Sequence, residues 1–417
     1  MLGTYVRVME SVTPTVHSTG TSIRSQRTVL ISGASIAGPT LAYWLHRYGF
    51  AVTVVEKASA PRGGGYPIDV RGTAIDVVRR MGVLPQLQDA HIGSPRFTFL
   101  DADGGEIVAL DGRAVAGSVE QDLEVRRGDL TAILYAAVRD DVEFLFDDAI
   151  NTLDQSGHGV DVTFRSGKQR TFDLVLGADG IHSRTRELVL GPEVQFDRYL
   201  GYCVAVFTVP NTFGLSREVQ LWSVPGKSAA LYATGDDREL TAFLTFRQPE
   251  RPLDALRDPV ARWDLVATTF AGAGWEVPGL VAAMRDAGDL FFDVVSQIRL
   301  PRWSNGRVAL AGDAAYAPSF LTGQGSSLAL TGSYMLAHSL ATHRDHAEAF
   351  AAYERDTREF VGMNQALVDD GGARLFPATA EALEQRNKML RDLVAMPEPT
   401  PRAAHSALTL PELAPMA

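Results

Sequence analysis

The chain has 417 residues, 46% of them hydrophobic and 21% charged, which is enough to bury a large core. At about 150 residues a domain, this length predicts two or three domains. The formal net charge of -11 argues against nucleic acid as a partner, because phosphate backbones are bound by clustered lysines and arginines. No apolar run reaches the length of about 18 residues that a membrane span needs, so we expect no membrane partner.

The N-terminal segment and the cysteine content bear on where the protein works. Residues 1–27 are rich in serine and threonine and lack an apolar signal core, so they predict a flexible extension rather than a secretion signal. Cys203 is the only cysteine and cannot form an internal disulfide, which favours a cytoplasmic location. We expect its thiol to fill a sheet core. The sequence predicts no metal site and leaves monomer and homodimer open.

The first strong pattern is a strand, a glycine turn, a helix and a second strand. Gly33 begins the turn GASIAG and permits its tight bend, Ser35 lets the backbone approach a pyrophosphate, and Gly38 lets helix and strand pack closely. Glu56 ends the second strand, 23 residues after Gly33, where a carboxylate can bind ribose hydroxyls. Taken alone, the turn is equally consistent with an ordinary strand-to-helix connection, and Glu56 with a surface acid.

The middle of the chain changes to antiparallel β patterns. A hairpin is predicted around residues 103–105, and another runs into the buried strand that ends at Asp179. Successive strands from about 198 to 248 predict a separate antiparallel sheet, followed by helical segments to about 288. The chain from about 328 is predicted to be helical, apart from a proline-containing tail.

Two further strands end in an aspartate beside glycines. Asp179 and Gly180 follow the strand DLVLGA, and Asp313 follows RVALAG, ahead of a loop with Gly323 and Gly325. An acid at the second position can bind a ribityl hydroxyl while the following helix offers its N-terminus to a ring carbonyl. Each pattern alone is also typical of a turn or a helix cap.

Together, in this order and each at a strand end, GASIAG with its distant glutamate, GADGIHSRTR and GDAAYAPSFLTGQGSS resemble the flavoprotein monooxygenases of the para-hydroxybenzoate hydroxylase fold. The resemblance covers about residues 28–355 and implies FAD as cofactor. Since no second glycine fingerprint occurs, it implies NADPH or NADH as a transient co-substrate. The cofactor-binding residues that it implies are Gly33, Ser35, Ala37, Gly38, Glu56, Lys57, Arg62, Asp69, Arg127, Asp179, Gly180, Asp313, Pro318, Gly323, Gly325 and Ser326.

Two arginines extend this resemblance, and two other residues differ from the family pattern. Arg62 and Arg127 match arginines near FAD in tetracycline-inactivating and related polyketide monooxygenases, although each is also compatible with a solvated surface arginine. Tyr316 and Ser327 stand where many members have histidine and asparagine, so these two positions depart from the family's pattern of flavin-ring contacts.

The fold class that follows from the resemblance is α/β. It implies a Rossmann-like FAD-binding domain of the GR2 type, an inserted antiparallel substrate domain and C-terminal helices. The corresponding boundaries are 28–95, 120–190 and 290–345 for the FAD-binding domain, 96–119 and 191–289 for the substrate domain, and 346–417 for the helices and tail.

The implied activity is that of a monooxygenase. NAD(P)H reduces the flavin, O2 adds at its C4a atom, and the resulting hydroperoxide gives one oxygen atom to an aromatic or polycyclic, polyketide-like small molecule. Hydroxylation and Baeyer–Villiger insertion stay open, and no side chain is singled out as an acid or base. Phe97, Trp222 and Phe320 are predicted to line an apolar substrate pocket, with core packing as the alternative for each.

Two other functions remain open at this point. An FAD-dependent dehydrogenase or oxidase would bind the same cofactor without putting oxygen into its product. A non-redox protein that uses FAD as a scaffold would consume no NAD(P)H. Oxygen incorporation and substrate-stimulated NAD(P)H consumption distinguish these functions from a monooxygenase.

Overall fold

The computed structural model describes residues 26–61, 63–93, 96–116, 120–233, 238–393 and 402–414, so nearly all of the predicted N-terminal extension lies outside it. The strands are β1 Thr28–Ser32, β2 Ala51–Val55, β3 Pro67–Val70, β4 Arg96–Leu100, β5 Glu106–Asp111, β6 Leu123–Arg126, β7 Glu143–Leu145, β8 Ile150–Gln155, β9 Val160–Phe164, β10 Gln169–Phe172, β11 Leu174–Gly177, β12 Asp197–Pro210, β13 Glu218–Val224, β14 Lys227–Tyr232, β15 Glu239–Arg247, β16 Phe291–Ile298, β17 Ser304–Asn305 and β18 Val308–Leu310. The helices are α1 Ala37–Arg47, α2 Thr73–Arg80, α3 Leu84–Asp89, α4 Gly112–Ala116, α5 Arg127–Ala136, α6 Arg184–Leu190, α7 Leu253–Arg257, α8 Pro259–Thr269, α9 Val277–Asp286, α10 Asp313–Tyr316, α11 Gly325–Thr342, α12 His346–Leu375, α13 Ala380–Leu393 and α14 Ala403–Ser406.

A six-stranded sheet in the order β17-β18-β11-β1-β2-β7 forms the first layer. From β18 to β7 its strands are parallel, and only the edge strand β17 runs antiparallel. Val29 and Ile31 on one face pack against α1 and α11, while Leu30 on the other face packs against the small sheet β8–β10. Burial on both faces explains the continuous apolar runs of these strands. The carboxyl ends of β1, β11 and β18 therefore meet at one edge.

A seven-stranded sheet in the order β16-β12-β15-β14-β13-β4-β5 forms the second unit. Successive side chains along its strands point to opposite faces of the sheet. One face packs against α7, α8 and α9 in a separate apolar core. Cys203 is fully buried in this core, as the sequence analysis predicts. The opposite face is turned toward the parallel sheet.

One predicted domain boundary differs from the structure. Residues 291–298 form β16, which pairs antiparallel with β12, for example Val294 with Cys203. The segment therefore belongs to the seven-stranded sheet, whereas the boundary at residue 290 assigns it to the nucleotide-binding unit. Its apolar pattern leads directly into the next strand of the parallel sheet, and a local pattern does not identify the partner of a strand.

The C-terminal segments cover both units. Leu390 of α13 packs beside Phe99 of the seven-stranded sheet. The last described segment crosses α2 and α11, where Arg80 donates to the carbonyl of Pro411 at 2.6 Å and Thr73 donates to that of Leu408 at 2.8 Å. Within the described ranges, no helix combines the length and apolar character of a membrane span.

Candidate active site

A cavity of about 1080 Å³ lies between the carboxyl edge of the parallel sheet and the open face of the seven-stranded sheet. Gly33, Asp179 and Asp313 mark the ends of three parallel strands on one side, and Val206 and Leu221 belong to the seven-stranded sheet on the other. Drug-sized ligands need about 300–1,000 Å³. The volume of the cavity therefore exceeds the range that is usual for a single drug-sized ligand.

The first glycine turn presents bare backbone to this cavity. Gly33 has a φ of +107° and its amide donates to Val55 at 2.8 Å. A Cβ atom at Gly33 would lie 2.4 Å from the carbonyl oxygen of Ala178, and one at Gly38 would lie 1.8 Å from that of Gly33. Neither position accepts a side chain. Ser35 and Ala37 line the cavity at the start of α1, where helix amides favour negative charge.

Glu56 supports this turn from the end of β2. Its carboxylate accepts from the amide of Ala34 at 2.8 Å and from that of Ala58 at 3.0 Å. Each carboxylate oxygen has a second acceptor position, so binding ribose hydroxyls remains compatible with these bonds. Lys57 follows at the cavity wall. Glu56 therefore has a structural role in the turn that the sequence analysis did not anticipate.

Arg127 makes a direct hydrogen bond to another of the predicted cofactor-binding residues. Its guanidinium donates to the hydroxyl of Ser35 at 3.3 Å, and its amide donates to the carbonyl of Tyr66 at 3.1 Å. The next residue must be glycine, because a Cβ atom at Gly128 would lie 2.4 Å from the backbone of Gly64. The other predicted arginine, Arg62, lies outside the described residues.

Asp179 and Gly180 line the cavity, but the aspartate is also used within its own turn. Its carboxylate accepts from the amide and hydroxyl of Thr185, both at 2.9 Å, and from the hydroxyl of Ser183. Gly180 has a φ of +83°, which favours glycine. Asp179 therefore stabilises a turn, which the sequence analysis gave as the alternative to cofactor binding. Contact of these residues with the cofactor stays a prediction.

Asp313 and the following loop form a narrow cradle. A Cβ atom at Gly325 would lie 3.7 Å from the Asp313 carboxylate, and one at Gly323 would lie 2.9 Å from the carboxylate of Asp69. Burial raises the pKa of Asp313, and the positive charges of Arg127 and Arg186 oppose that shift. The other predicted residues of the loop also line the cavity: Pro318, Phe320 and Ser326.

The two departures from the family pattern have separate explanations. Tyr316 lies in the core, where its hydroxyl accepts from Tyr353 at 3.0 Å, and a Cβ atom at Gly332 would lie 1.8 Å from that hydroxyl. The tyrosine thus fits because α11 has a glycine opposite it. Ser327 accepts from the amide of Arg71 at 3.1 Å and so ties α11 to the strand β3.

Two of the three residues predicted to contact the substrate lie in the cavity lining, and their contact with a substrate stays a prediction. These two are Phe97 and Phe320, whereas Trp222 lies on the opposite face of the sheet. Its indole is 1% exposed and donates to the carbonyl of Ala102 at 3.0 Å. Side chains alternate along a strand, so Leu221 faces the cavity and its neighbour cannot. The prediction that Trp222 lines the substrate pocket is wrong.

Two polar groups in the lining contain residues that sequence reasoning missed, and only Asp69 among their members was predicted. In the first, β3 and β6 form a two-stranded antiparallel ribbon on which Asp69 lies opposite Glu124. Arg71, just after β3, pairs with Asp69, and Tyr232 of β14 donates to Glu124. The second centres on His182, whose ring contacts Asp293 at 3.0 Å and Glu193 at 2.9 Å. Hydrogen bonds to these two acids raise the pKa of His182 to about 10. Glu124 meets Tyr232, and His182 meets Asp293, only through tertiary structure, so no local sequence pattern marks these contacts.

The arrangement fits FAD. Bare glycine backbone faces the cavity beside a helix N-terminus, an acid ends the second strand, and a glycine cradle lies next to Asp313. These are the features that a pyrophosphate, a ribose and a ribityl chain with a flat ring require. The apolar sheet face opposite the cradle leaves room for an organic substrate. Within the described ranges, no group of acids, histidines and cysteines is arranged to hold a metal ion.

Comparisons with known proteins agree with this geometry. The family model described as an FAD binding domain matches residues 26–251. A flavin-dependent monooxygenase from an unknown prokaryotic organism is 37% identical over 387 residues, which are 92% of this chain and 98% of that protein. An uncharacterized protein of Mycobacterium tuberculosis is 44% identical over 354 residues, or 83% of this chain and 95% of the relative.

A solved structure is similar over nearly the same length. The crystal structure of the tetracycline destructase Tet(55) superposes with a TM-score of 0.80 at 35% identity. The match covers 93% of this chain and 99% of that one.

Proposed function

The chain belongs to the family of FAD-dependent monooxygenases, and from this premise we propose that it uses NAD(P)H and O2 to oxygenate an aromatic or polycyclic small molecule. The reduced cofactor and O2 supply the oxygen chemistry when FAD is bound. The residues of the chain bind the cofactor, orient the substrate and exclude water. Hydroxylation and oxygen insertion are both compatible with this role.

One observation carries the proposal: the glycine cradle and the open sheet face share a single cavity. A cofactor ring beside Asp313 and the 323–325 glycines would face the side chains of the seven-stranded sheet. Val206, Leu221 and Phe243 make that wall largely apolar. An apolar wall favours a flat organic substrate and limits the access of water, which would otherwise destroy a reactive oxygen species.

The similarity to a tetracycline destructase supports a polycyclic substrate. Aromatic side chains offer faces and edges for stacking on fused rings. Tyr66, Phe243 and Phe320 form such a cluster, with ring centroids 6.2–6.4 Å apart. We therefore propose that the substrate is a fused-ring phenol or a related polyketide-like compound, with tetracycline as one candidate.

The test is an incubation of the FAD-loaded protein with NADPH or NADH and a panel of fused-ring phenols that includes tetracycline. Oxygen uptake and product mass are recorded under labelled O2. We expect one labelled atom in the product and the other in water. A product whose new oxygen comes wholly from water would contradict the proposal.

The same experiment separates the two other functions. A dehydrogenase or oxidase would convert its substrate without gaining labelled oxygen. A protein that holds FAD only as a scaffold would show no substrate-stimulated NAD(P)H consumption.

A further inference from the structure

A row of hydroxyl groups crosses the otherwise apolar wall of the seven-stranded sheet. Ser223 of β13 lies opposite Ser228 of β14, and Ser228 lies opposite Thr245 of β15, so the three side chains share one face. Ser228 and Thr245 line the cavity, and all three residues are buried. A few polar groups placed in an apolar wall are typical of sites that orient a ligand. The row therefore marks a point at which the wall can recognise a polar group.

Arg386 of α13 lies at the end of this row and is 3% exposed. Its Nη1 atom donates to the hydroxyl of Ser223 at 3.0 Å. Its Nε and Nη2 atoms donate to Oδ1 of Asn387 at 3.1 and 2.8 Å. The guanidinium carbon lies 5.5 Å from the centre of the Phe99 ring. The groups that contact this guanidinium are therefore neutral or aromatic.

No acid balances the charge of Arg386 among the residues that the structure describes. Burial lowers the pKa of Arg386 to about 10, so its side chain is still charged at neutral pH. Buried charges in proteins are ordinarily paired, because an unpaired ion loses its hydration without compensation. A charged arginine with neutral partners, buried next to a ligand cavity, therefore indicates that a ligand supplies the anion.

The serine hydroxyls connect this charge to the cavity. The oxygen atoms of Ser223 and Ser228 lie 3.2 Å apart, and each hydroxyl hydrogen can rotate to suit its partners. With an acceptor in the cavity, Arg386 donates to Ser223, Ser223 donates to Ser228, and Ser228 donates to the acceptor. Each donor in such a chain polarises the next one, which strengthens the last bond to an anion.

We propose that this donor chain, from Arg386 to Ser228, binds an ionised carboxylate of the substrate, so that the cavity selects fused-ring carboxylic acids. The inference rests on the proposed function and adds the charge of the substrate to it. Thr245, opposite Ser228, offers a second hydroxyl to the other carboxylate oxygen. Arg386 acts through the two serines and is a positioning residue for the last donor.

A carboxylate at this row would also orient the rest of the substrate. Phe243 lies two positions before Thr245 on the same face of β15, which is about 7 Å along the strand. The ring of Phe243 stacks on that of Phe320 in the cradle loop, with centroids 6.2 Å apart. Fused rings that extend from the carboxylate over Phe243 would therefore end next to the glycine cradle.

A matched pair of ligands tests the proposal without turnover. The probes are anthraquinone-2-carboxylate and anthraquinone-2-carboxamide, which have the same three rings and differ in charge, and each is titrated by calorimetry into FAD-loaded protein. The carboxylate should bind about tenfold or more tightly, as expected for a hydrogen bond to a charged group. The preference should be constant from about pH 6 to 8, because the pKa of Arg386 is about 10 and the probe is already ionised.

Three variants make the result specific. Arg386→Met keeps an apolar stem and removes the charge, so it should bind the two probes with equal affinity and the carboxamide as the unmodified protein does. Ser228→Ala should lose most of the preference although the arginine remains. Arg391→Gln removes a charge from an exposed position of the same helix and should keep the preference. Retained FAD in each variant verifies folding, and Ser228→Ala decides if Arg386→Met does not fold.

Equal affinity of the unmodified protein for the two probes would overturn the inference, as would a full preference in either Arg386→Met or Ser228→Ala. Failure of the monooxygenase proposal would look different. It would leave the preference for the carboxylate intact and would appear only as unlabelled product.

Discussion

At the scale of single residues, the acids at strand ends combine structural and ligand-binding roles. Glu56 already accepts two backbone amides of the cofactor turn, and Asp179 accepts the amide and hydroxyl of Thr185. Such bonds fix the orientation of a carboxylate before a ligand arrives, and this preorganisation lowers the entropy cost of binding. Replacing these acids should therefore affect both the turn and the ligand.

Glu56→Ala should weaken FAD retention by about 1–3 kcal/mol, because hydroxyl and amide partners in a buried site lose their acceptor. The measurement is the dissociation constant of FAD, from the recovery of flavin fluorescence on dilution. Glu120→Ala, at an exposed position, is the control. Unchanged retention in Glu56→Ala would show that the carboxylate serves only the turn and does not bind the cofactor.

Asp313→Ala should reduce FAD affinity or shift the flavin spectrum far more than Asp101→Ala. Asp101 is the control, because it is an aspartate on an exposed hairpin, where it accepts the amides of Asp103 at 3.0 Å and Gly105 at 2.7 Å. A charged hydrogen bond to a ribityl hydroxyl contributes about 1.5–3 kcal/mol. If the two variants behave alike, Asp313 serves only its own turn.

At the scale of strands and helices, the alternation of side chains decides what each residue can contact. Ala229 and Ala230 are neighbours on β14, yet the first packs in the core under α7–α9 and the second faces the cavity. The same alternation places Trp222 on the face of the sheet that is opposite the cavity. Two adjacent substitutions of equal size should therefore have opposite consequences.

Ala230→Leu should keep FAD and thermal stability but reduce the affinity for a fused-ring ligand such as alizarin at least tenfold, because the side chain fills part of the cavity. Ala229→Leu should instead lower the free energy of unfolding by about 1–3 kcal/mol, the usual cost of overpacking a core. Denaturant unfolding and ligand titration measure the two effects. Equal behaviour of the two variants would contradict the orientation of β14.

His182 joins the second strand-end turn to β16 of the other sheet. Contacts with Asp293 and Glu193 raise its pKa to about 10, well above the ordinary value of 6.5. The stabilisation is thus fully present below pH 6.5 and is lost as the pH rises through about 10. His182→Ala should lower the Tm at pH 6, and the difference from the unmodified protein should shrink toward pH 10. His158→Ala, at an exposed position, is the control and should show no such pH dependence.

These elements also show how far the sequence could predict the site. The glycine turn and the three acids could be found because each is local: a few consecutive residues at the end of an apolar run. Glu124 and Tyr232 could not, because they are 108 positions apart and meet only when two sheets face each other. The position of β16 depended in the same way on strand pairing, which no local pattern encodes.

At the scale of the whole molecule, one cavity must serve two steps with opposite requirements. NAD(P)H has to reach the flavin ring, although the sequence has no second dinucleotide fingerprint to hold it. Water then has to be excluded while oxygen is transferred. The parallel sheet provides one wall of this cavity and the seven-stranded sheet the other.

A ring that is exposed in one step and sheltered in the next requires a moving cofactor or a moving loop, and ligand binding is the event that can couple the two. We therefore expect slow NAD(P)H oxidation by the FAD-loaded protein alone and faster oxidation when a fused-ring phenol is bound. A poorly positioned analogue should still stimulate oxidation but release H2O2 in place of oxygenated product. Stopped-flow absorbance of the flavin measures the reduction rate, and a peroxidase-coupled assay measures H2O2. A reduction rate that is the same with and without ligand would show that access to the flavin is independent of the substrate side of the cavity.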